Sequence, residues 1–391
     1  MHYVLLMSSL PLVITQQSHL DQALVIISKG TMFAIDTEFM REKTYYPQLC
    51  LIQIAGNGIH FAIDPLVDGL DLSALWALLA DESITTVFHA GRQDIEIFYH
   101  LTGDVPHNIF DSQIAAMVCG LGDQVGYDKL VQHFLGKVID KSSRFTDWSK
   151  RPLSDKQISY ALDDVIHLEK IYPMLCEQLE KENKLSWIAD EAQILGAIET
   201  YAVDPNEIYR RVKIRTNKPI ILNRLKHLAA FRETECQKRD LPRGRFLKDE
   251  TLMDLAATAP KTGDAMAKIR GIGNQKNGWL TGQLLHVLKQ ADEADKDTWP
   301  KLPERKRFER APAAVLELLR VLLKHVCEEA AVAPRLIASA SDLEELALSN
   351  DSSQAVLQGW RYEVYGKKAL ALKSGKVGMA LENGAIRFFD I

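Results

Sequence analysis

Hydrophobic and polar positions follow one pattern through the first half of the chain and another through the second. Three short apolar runs, MFAIDTEF (32–39), CLIQIAG (50–56) and IHFAID (59–64), are rich in β-branched and aromatic residues. The segments between them are short enough for antiparallel neighbours. DLSALWALLAD then takes up a helical period, ITTVFH reads as a strand again, and QDIEIFYHL, DSQIAAMVCG and YDKLVQHFLG read as helices. The mixture predicts an α/β domain on a mixed sheet.

Past about residue 203 the strand signals fade and helical periods dominate. The exception is the tail VGMALENGAIRFFDI, whose Asn-Gly predicts a hairpin turn. A polar stretch, ADEADKDTWPKLPERKRF, with Pro300 and Pro303 as breakers, divides the helical part in two. The expected organisation is an α/β domain over residues 1–203 and two small all-α domains, 214–294 and 306–391. The two helical pieces also match as an internal repeat: Cys236 falls on Cys327, Pro242 on Pro334 and Leu255-Ala256 on Leu346-Ala347, with small gaps.

Composition narrows the class. A chain of 391 residues, 47% hydrophobic and 25% charged, is too long for one ordinary domain and has the balance of a globular protein. Nothing reaches the roughly 18 apolar residues of a membrane span. The apolar opening MHYVLLMSSLPLVI lacks the basic region of a signal peptide. Five scattered cysteines, without metal or redox spacing, fit reduced thiols in the cytosol and no structural zinc. The net charge of −5 argues against indiscriminate coating of nucleic acid, yet residues 204–248 carry 13 Lys and Arg against 5 Asp and Glu.

The chemistry lies in the acids. Asp36 and Glu38 point the same way from a strand, about 6 to 7 Å apart along it, with Thr37 facing the other side. Two solvated acids at a sheet edge are the plain alternative, so the functional reading needs more acids to converge. Asp94 follows a strand-like run at a helix start, where it also suits the helix dipole. In ISYALDDVIHLEKIY, Tyr160 and Asp164 stand at i and i+4 on one helical face, while Asp163 is less well placed. Oxygen-only ligands suit Mg²⁺ or Mn²⁺, and two such ions about 4 Å apart clamp the attacking and leaving oxygens of a phosphodiester.

IDTEF, the Asp94 segment and YALDD resemble the three motifs of the DEDD exonuclease superfamily, in its tyrosine subclass. With YYPQLCLIQIA, FDSQIAA, DWSKRPLSDKQISYALDDV and RDLPRGRFLKDETLMDLA, nearly the whole chain is similar to the ribonuclease D family. The helical units are similar to helicase-and-RNase-D C-terminal (HRDC) domains. The resemblance implies an RNase H-like fold for the first 203 residues and a 3′–5′ exoribonuclease that trims RNA 3′ ends, such as those of tRNA precursors, to nucleoside 5′-monophosphates. It implies that Asp36, Glu38, Asp94 and Asp164 bind two divalent ions and that Tyr160 positions the water. The last helical unit matches weakly, and its hairpin ending is not expected of the family.

Further candidates for RNA contact are Phe39, beside the acids, which equally suits core packing; His89, for which a structural role outweighs contact; and the basic and aromatic cluster Arg144, Trp148, Lys150 and Arg151. In the helical part they are Arg243, Arg245 and Lys248, and the glycine-flanked Lys268, Arg270 and Lys276. Two rivals stand beside this reading: the same chemistry on DNA, and a catalytically silent RNA-binding scaffold.

Overall fold

The computed structural model describes residues 10–214, 216–273, 278–301 and 311–391. Lys276 and the domain boundary expected at 306 lie outside them. One mixed sheet contains β1 (Val13–Ile14), β2 (Met32–Met40), β3 (Gln48–Gly56), β4 (Ile59–Ile63), β5 (Thr85–Phe88) and β6 (Ile109–Asp111), in the order β1-β4-β3-β2-β5-β6. β3 and β4 form an antiparallel hairpin through Asn57 (φ 49°) and Gly58 (φ 81°), the left-handed pair that a two-residue turn requires. β2, β5 and β6 run parallel, so their C-terminal ends share one edge of the sheet.

The register decides what that edge carries. Ala34 pairs with Val87, one residue before β5 ends at Phe88, so Asp36 and Glu38 extend past the end of β5. The chain then turns sharply into a helix. Ala90 sits at φ 57°, and a Cβ on Gly91 would lie 2.5 Å from the Phe88 side chain, so only glycine fits there.

The helices of this domain are α1 (Gln17–Ile27), α2 (Ser73–Leu79), α3 (Arg92–Thr102), α4 (Ser112–Val118), α5 (Tyr127–Leu135), α6 (Asp155–Lys181) and α7 (Leu185–Leu195). α6 starts in a capping box, with Ser154 and Gln157 each accepting from the other's backbone N–H. Its buried stripe, Val165, Leu168, Ile171, Leu175 and Leu179, keeps helical spacing and packs into the core that holds Ala34 and Val87.

A second group comprises α8 (Pro219–Arg239), α9 (Arg243–Phe246), α10 (Asp249–Thr258), α11 (Gly263–Met266) and α12 (Trp279–Glu293), around Leu225, Leu228, Leu252, Leu255, Leu284 and Leu288. Residues 39–48 cluster with this group: Asp240 accepts from the amides of Tyr45 (2.9 Å) and Tyr46 (3.0 Å), and the Tyr45 hydroxyl donates to buried Glu233.

The last group, α13 (Ala313–Ala330), α14 (Pro334–Ile337), α15 (Ala340–Leu348), α16 (Gly359–Arg361) and α17 (Lys367–Lys373), ends in the hairpin β7 (Val377–Glu382) and β8 (Ala385–Asp390), turned by Asn383 and Gly384. α13 to α15 repeat α8 to α10. Each long helix carries a buried cysteine (Cys236, Cys327) near its end and stops on a left-handed residue, Asp240 or Ala331; a proline and a four-residue helix follow.

This group packs on the sheet domain. Trp187 stacks on Trp360 with centroids 4.3 Å apart. Buried Lys184 donates to the carbonyls of Val118 (3.2 Å) and Ala331 (2.9 Å), and a Cβ on Gly120 would lie 2.7 Å from the Ala331 oxygen. Five sequence segments therefore make two compact units, one of the described parts of 1–38, 49–200 and 308–391, the other of those of 39–48 and 201–307.

Two of the expected RNA-contacting residues belong to the scaffold. Trp148 is 2% exposed, because the loop before α6 buries its indole beside Tyr160. Arg151 gives both edges of its guanidinium to the fold: Nε and Nη2 grip Asp64 (2.5 and 2.7 Å), Nη2 also reaches the Cys50 carbonyl, and Nη1 the Trp148 carbonyl. A bidentate pair with one buried partner is costly to break. Asp64→Asn, which leaves Arg151 with half its partner, is expected to lower unfolding stability by about 3 kcal/mol in urea titrations; an unchanged midpoint refutes this role.

Candidate active site

The sheet edge gathers the acids that sequence spacing left scattered. Asp94 lies in the first turn of α3 and is 7% exposed. Thr37, the residue between Asp36 and Glu38, donates its hydroxyl to the Asp94 carboxylate, so one motif fixes the acid of the next. The turn that delivers Asp94 is tied down by Asp111 at the end of β6, whose carboxylate accepts from Ala90 N (3.1 Å), Gly91 N (2.9 Å) and Gln113 N (2.8 Å). Asp111 thus caps α4 while holding the start of α3.

α6 supplies the other wall. Tyr160 and Asp164 line one cavity of about 290 Å³ with Asp36, and Asp163 is not among its lining residues. The Tyr127 hydroxyl donates to the backbone carbonyl of Asp164 and holds this turn of α6 in place. Arg144, Lys141 and Gln113 complete the polar lining. Lys141 also pairs with Asp128 at 2.8 Å.

Burial and mutual repulsion outweigh the nearby cations Arg144 and Lys141. Burial first, then the neighbouring carboxylates Asp94, Asp164 and Glu38, hold Asp36 well above the usual carboxylate range. Glu38 is pushed up to about 8 by burial and by Asp164 and Asp94, against which Arg144 pulls down. Asp164 rises to about 7 through burial and Asp163, and Asp94 to about 6 through burial, moderated by its Thr37 bond. The Tyr160 phenol is raised above its ordinary value by burial and by Asp164, Glu38 and Asp36. Asp36 and Asp164 line the cavity, while Glu38 and Asp94 lie outside its lining and act on Asp36 through their charge. Among the described residues no three His, Cys, Asp or Glu side chains already stand as a closed metal cage, and the donor chemistry, oxygen only, is the kind hard divalent cations take.

Other candidates fall where the fold takes them. His89 lines the cavity, but its Nδ1 bonds the Ser112 hydroxyl (2.9 Å) and burial lowers its pKa, a neutral wall residue. Phe39 is half-buried in β2 and outside the cavity lining. Arg243 is held by buried Glu233 (2.5 and 2.6 Å) and the Tyr45 hydroxyl, a structural pair within the helical unit, while Arg245 and Lys248 are exposed. Sequence reading missed Thr37's bond, Asp111, Gln113, Tyr127 and Lys141. Asp111 carries a legible signal, an N-cap aspartate before a helix; Tyr127 and Lys141 carry none, because only folding brings their loops to the acids.

Fold and carboxylate cluster together define the class, a nuclease domain of the 3′–5′ exonuclease kind, and comparison with known proteins agrees. The profile of a family described as 3′-5′ exonuclease matches residues 11–180, and that of the HRDC domain matches 221–285. A ribonuclease D from Gluconacetobacter diazotrophicus is 43% identical over 96% of this chain and 96% of its own length, and one from Bartonella henselae is 41% identical over 95% and 92%. The crystal structure of Escherichia coli RNase D, described as an exoribonuclease involved in structured RNA processing, superposes with a TM-score of 0.79 at 28% identity, covering 93% of this chain and 98% of that one. The chain belongs to the ribonuclease D family.

The raised carboxylates make stability depend on pH with a definite sign. Unfolded, these acids ionise near pH 4, whereas the native cluster keeps its protons up to about pH 6 to 8. Between those limits the native state binds more protons, so the metal-free protein loses stability as pH rises from about 4 to 8. A divalent cation prefers the ionised cluster. Added Mg²⁺ or Mn²⁺ is expected to raise Tm more at pH 8 than at pH 5, and Asp36→Asn to shrink that difference; equal shifts at both pH values refute it.

Proposed function

We propose that this enzyme removes nucleotides one at a time from the 3′ end of RNA by hydrolysis, releasing nucleoside 5′-monophosphates. Its substrates are structured RNAs with single-stranded 3′ ends, tRNA precursors among them. The observation that carries the reading is the cavity shared by Asp36, Tyr160 and Asp164, with Glu38 and Asp94 near enough to raise the cost of ionising Asp36. The five free cysteines fit a reducing compartment, the cytoplasm, and among the described residues no helix is long and apolar enough to cross a membrane.

In this reading the four acids hold two divalent ions, Mg²⁺ or Mn²⁺. When bound, such ions offset the charge of the attacking and leaving oxygens during in-line displacement. The chain's own groups do the positioning. Tyr160, kept protonated at neutral pH by burial and by its acidic neighbours, donates a hydrogen bond that orients the water and does not serve as a standing base. Trp148 walls the phenol, with ring centroids 6.2 Å apart. Arg144 and Lys141 present positive charge to the phosphate backbone as it enters the cavity.

The assay is the full-length protein on RNA and DNA labelled at either end, with Mg²⁺, Mn²⁺ or EDTA. RNA shortening from the 3′ end, abolished by EDTA, is expected; no activity on RNA with either ion overturns the reading. Asp36→Asn, nearly unchanged in volume, is expected to reduce turnover by about 10³-fold or more. Tyr160→Phe is expected to slow single-turnover cleavage by about 10² to 10⁴-fold with RNA affinity retained; wild-type rates in either variant remove that residue from the chemistry.

For the helical unit we propose that its unpaired cations grip RNA phosphates outside the active site. Arg211, Arg243 and Lys248 border one depression, in which Glu233 already claims Arg243. The exposed Arg245 and Lys248 are the better phosphate contacts. Arg245→Ala with Lys248→Ala is expected to lower the slope of log affinity against log salt by about 0.7 per lost contact on single-stranded RNA; an unchanged slope refutes it.

A further inference from the structure

The loop that joins α5 to α6 contributes Ile139, Lys141 and Arg144 to the catalytic cavity, and between those residues and the buried Trp148 it presents Phe145. Phe145 is 91% exposed, while Phe33, Phe61, Phe88 and Phe98 are each 1% or less. Leaving a phenylalanine in water forgoes the largest contribution such a residue makes to folding. Nothing in the local backbone forces it outward by default, because the turn is well tied. Arg144 N bonds Lys141 O (3.2 Å), Thr146 N and Oγ1 bond Ser143 O (3.2 and 2.9 Å), and the Gln157 side chain donates to Thr146 Oγ1 (3.1 Å). The ring therefore stands on an anchored turn, next to the residues that line the cavity.

The Arg144 guanidinium lies 5.3 Å from the Phe145 ring centroid, within cation–π range. An apolar face beside a cation, adjoining a site for phosphodiester chemistry, matches a nucleotide in both parts: the base is flat and apolar, and its phosphate is anionic. Every base has a π-face, so stacking on an exposed ring holds a strand without reading its sequence. The sequence pattern of basic residues around Trp148 marked that tryptophan as a candidate RNA contact; the fold buries Trp148 and exposes Phe145 instead.

We propose that Phe145 is a base-stacking platform at the mouth of the active site, holding one of the bases at the 3′ end of the RNA while its backbone reaches the acids. This rests on the exonuclease reading above and adds to it a residue that touches the substrate base.

The test is steady-state cleavage by the full-length protein of a short oligoribonucleotide, intact or with a single abasic position at the terminal or penultimate nucleotide. On intact RNA, Phe145→Ala is expected to raise KM by about 10-fold with kcat within about 2-fold, and Phe145→Trp to restore the wild-type KM. At one of the two abasic positions the wild type is expected to lose the same factor, and Phe145→Ala to lose nothing more. Because the side chain is exposed, the variant should unfold at the wild-type temperature. An unchanged KM for Phe145→Ala, or an equal additional loss on both abasic substrates, overturns the stacking role. Wild-type protein that cleaves no RNA overturns the exonuclease reading itself, so the two failures are distinguishable.

Discussion

Mutual repulsion among buried carboxylates is the constraint around which the catalytic half is built. Burial raises the cost of ionising Asp36, Glu38, Asp94 and Asp164, and repulsion from neighbouring carboxylates adds to it. Such a cluster persists only if it is held from outside, and the fold holds Asp94 and Asp164 in this way. Thr37 grips Asp94, Asp111 pins the turn that delivers it, Tyr127 fixes the carbonyl of Asp164, and the Ser154 capping box sets the start of the helix bearing Tyr160 and Asp164. A divalent cation offsets charge that burial and crowding otherwise disfavour, which suits such a cluster to a metal-dependent family.

The same logic separates structural cations from available ones. The basic run from 204 to 248 has an excess of positive charge in sequence, but the fold spends much of it internally. Arg224 pairs with Asp292, Arg232 with Asp249, Arg239 with Glu235 and Arg243 with Glu233. In the sheet domain Arg151 is committed to Asp64, while Arg144 keeps its place beside the acids. A guanidinium whose donors are taken by carbonyls and a carboxylate holds the loop before α6 in place; one that lines a cavity is available to a phosphate.

Duplication and divergence show in the helical units. The repeat of long helix, left-handed cap, proline and short helix is kept in both, because the cap geometry and the buried cysteine position are demanded by packing. What changed is the surface. The last unit turned Trp360 and Arg361 toward Trp187 and Glu191 of the sheet domain, and its role in these contacts is to brace that domain.

How much of this was legible in the sequence depends on the range of the interaction. Local pattern sufficed for the strands of the first 64 residues, the helical character beyond 203, the Asn-Gly hairpin and the repeat, because periodicity, caps and turns act over a few residues. The spacing of Asp36 with Glu38 and of Tyr160 with Asp164 likewise follows from strand and helix geometry alone, and the motif resemblance supplied their common purpose. Only the tertiary structure decided that Asp164 and not Asp163 faces the cavity, that Tyr127, Lys141 and Asp111 serve the site, that Trp148 is buried while Phe145 is exposed, and that Arg151 and Arg243 are already paired. Those outcomes turn on partners from 10 to 198 positions away in the chain, and no local periodicity encodes which of two neighbouring side chains will find one.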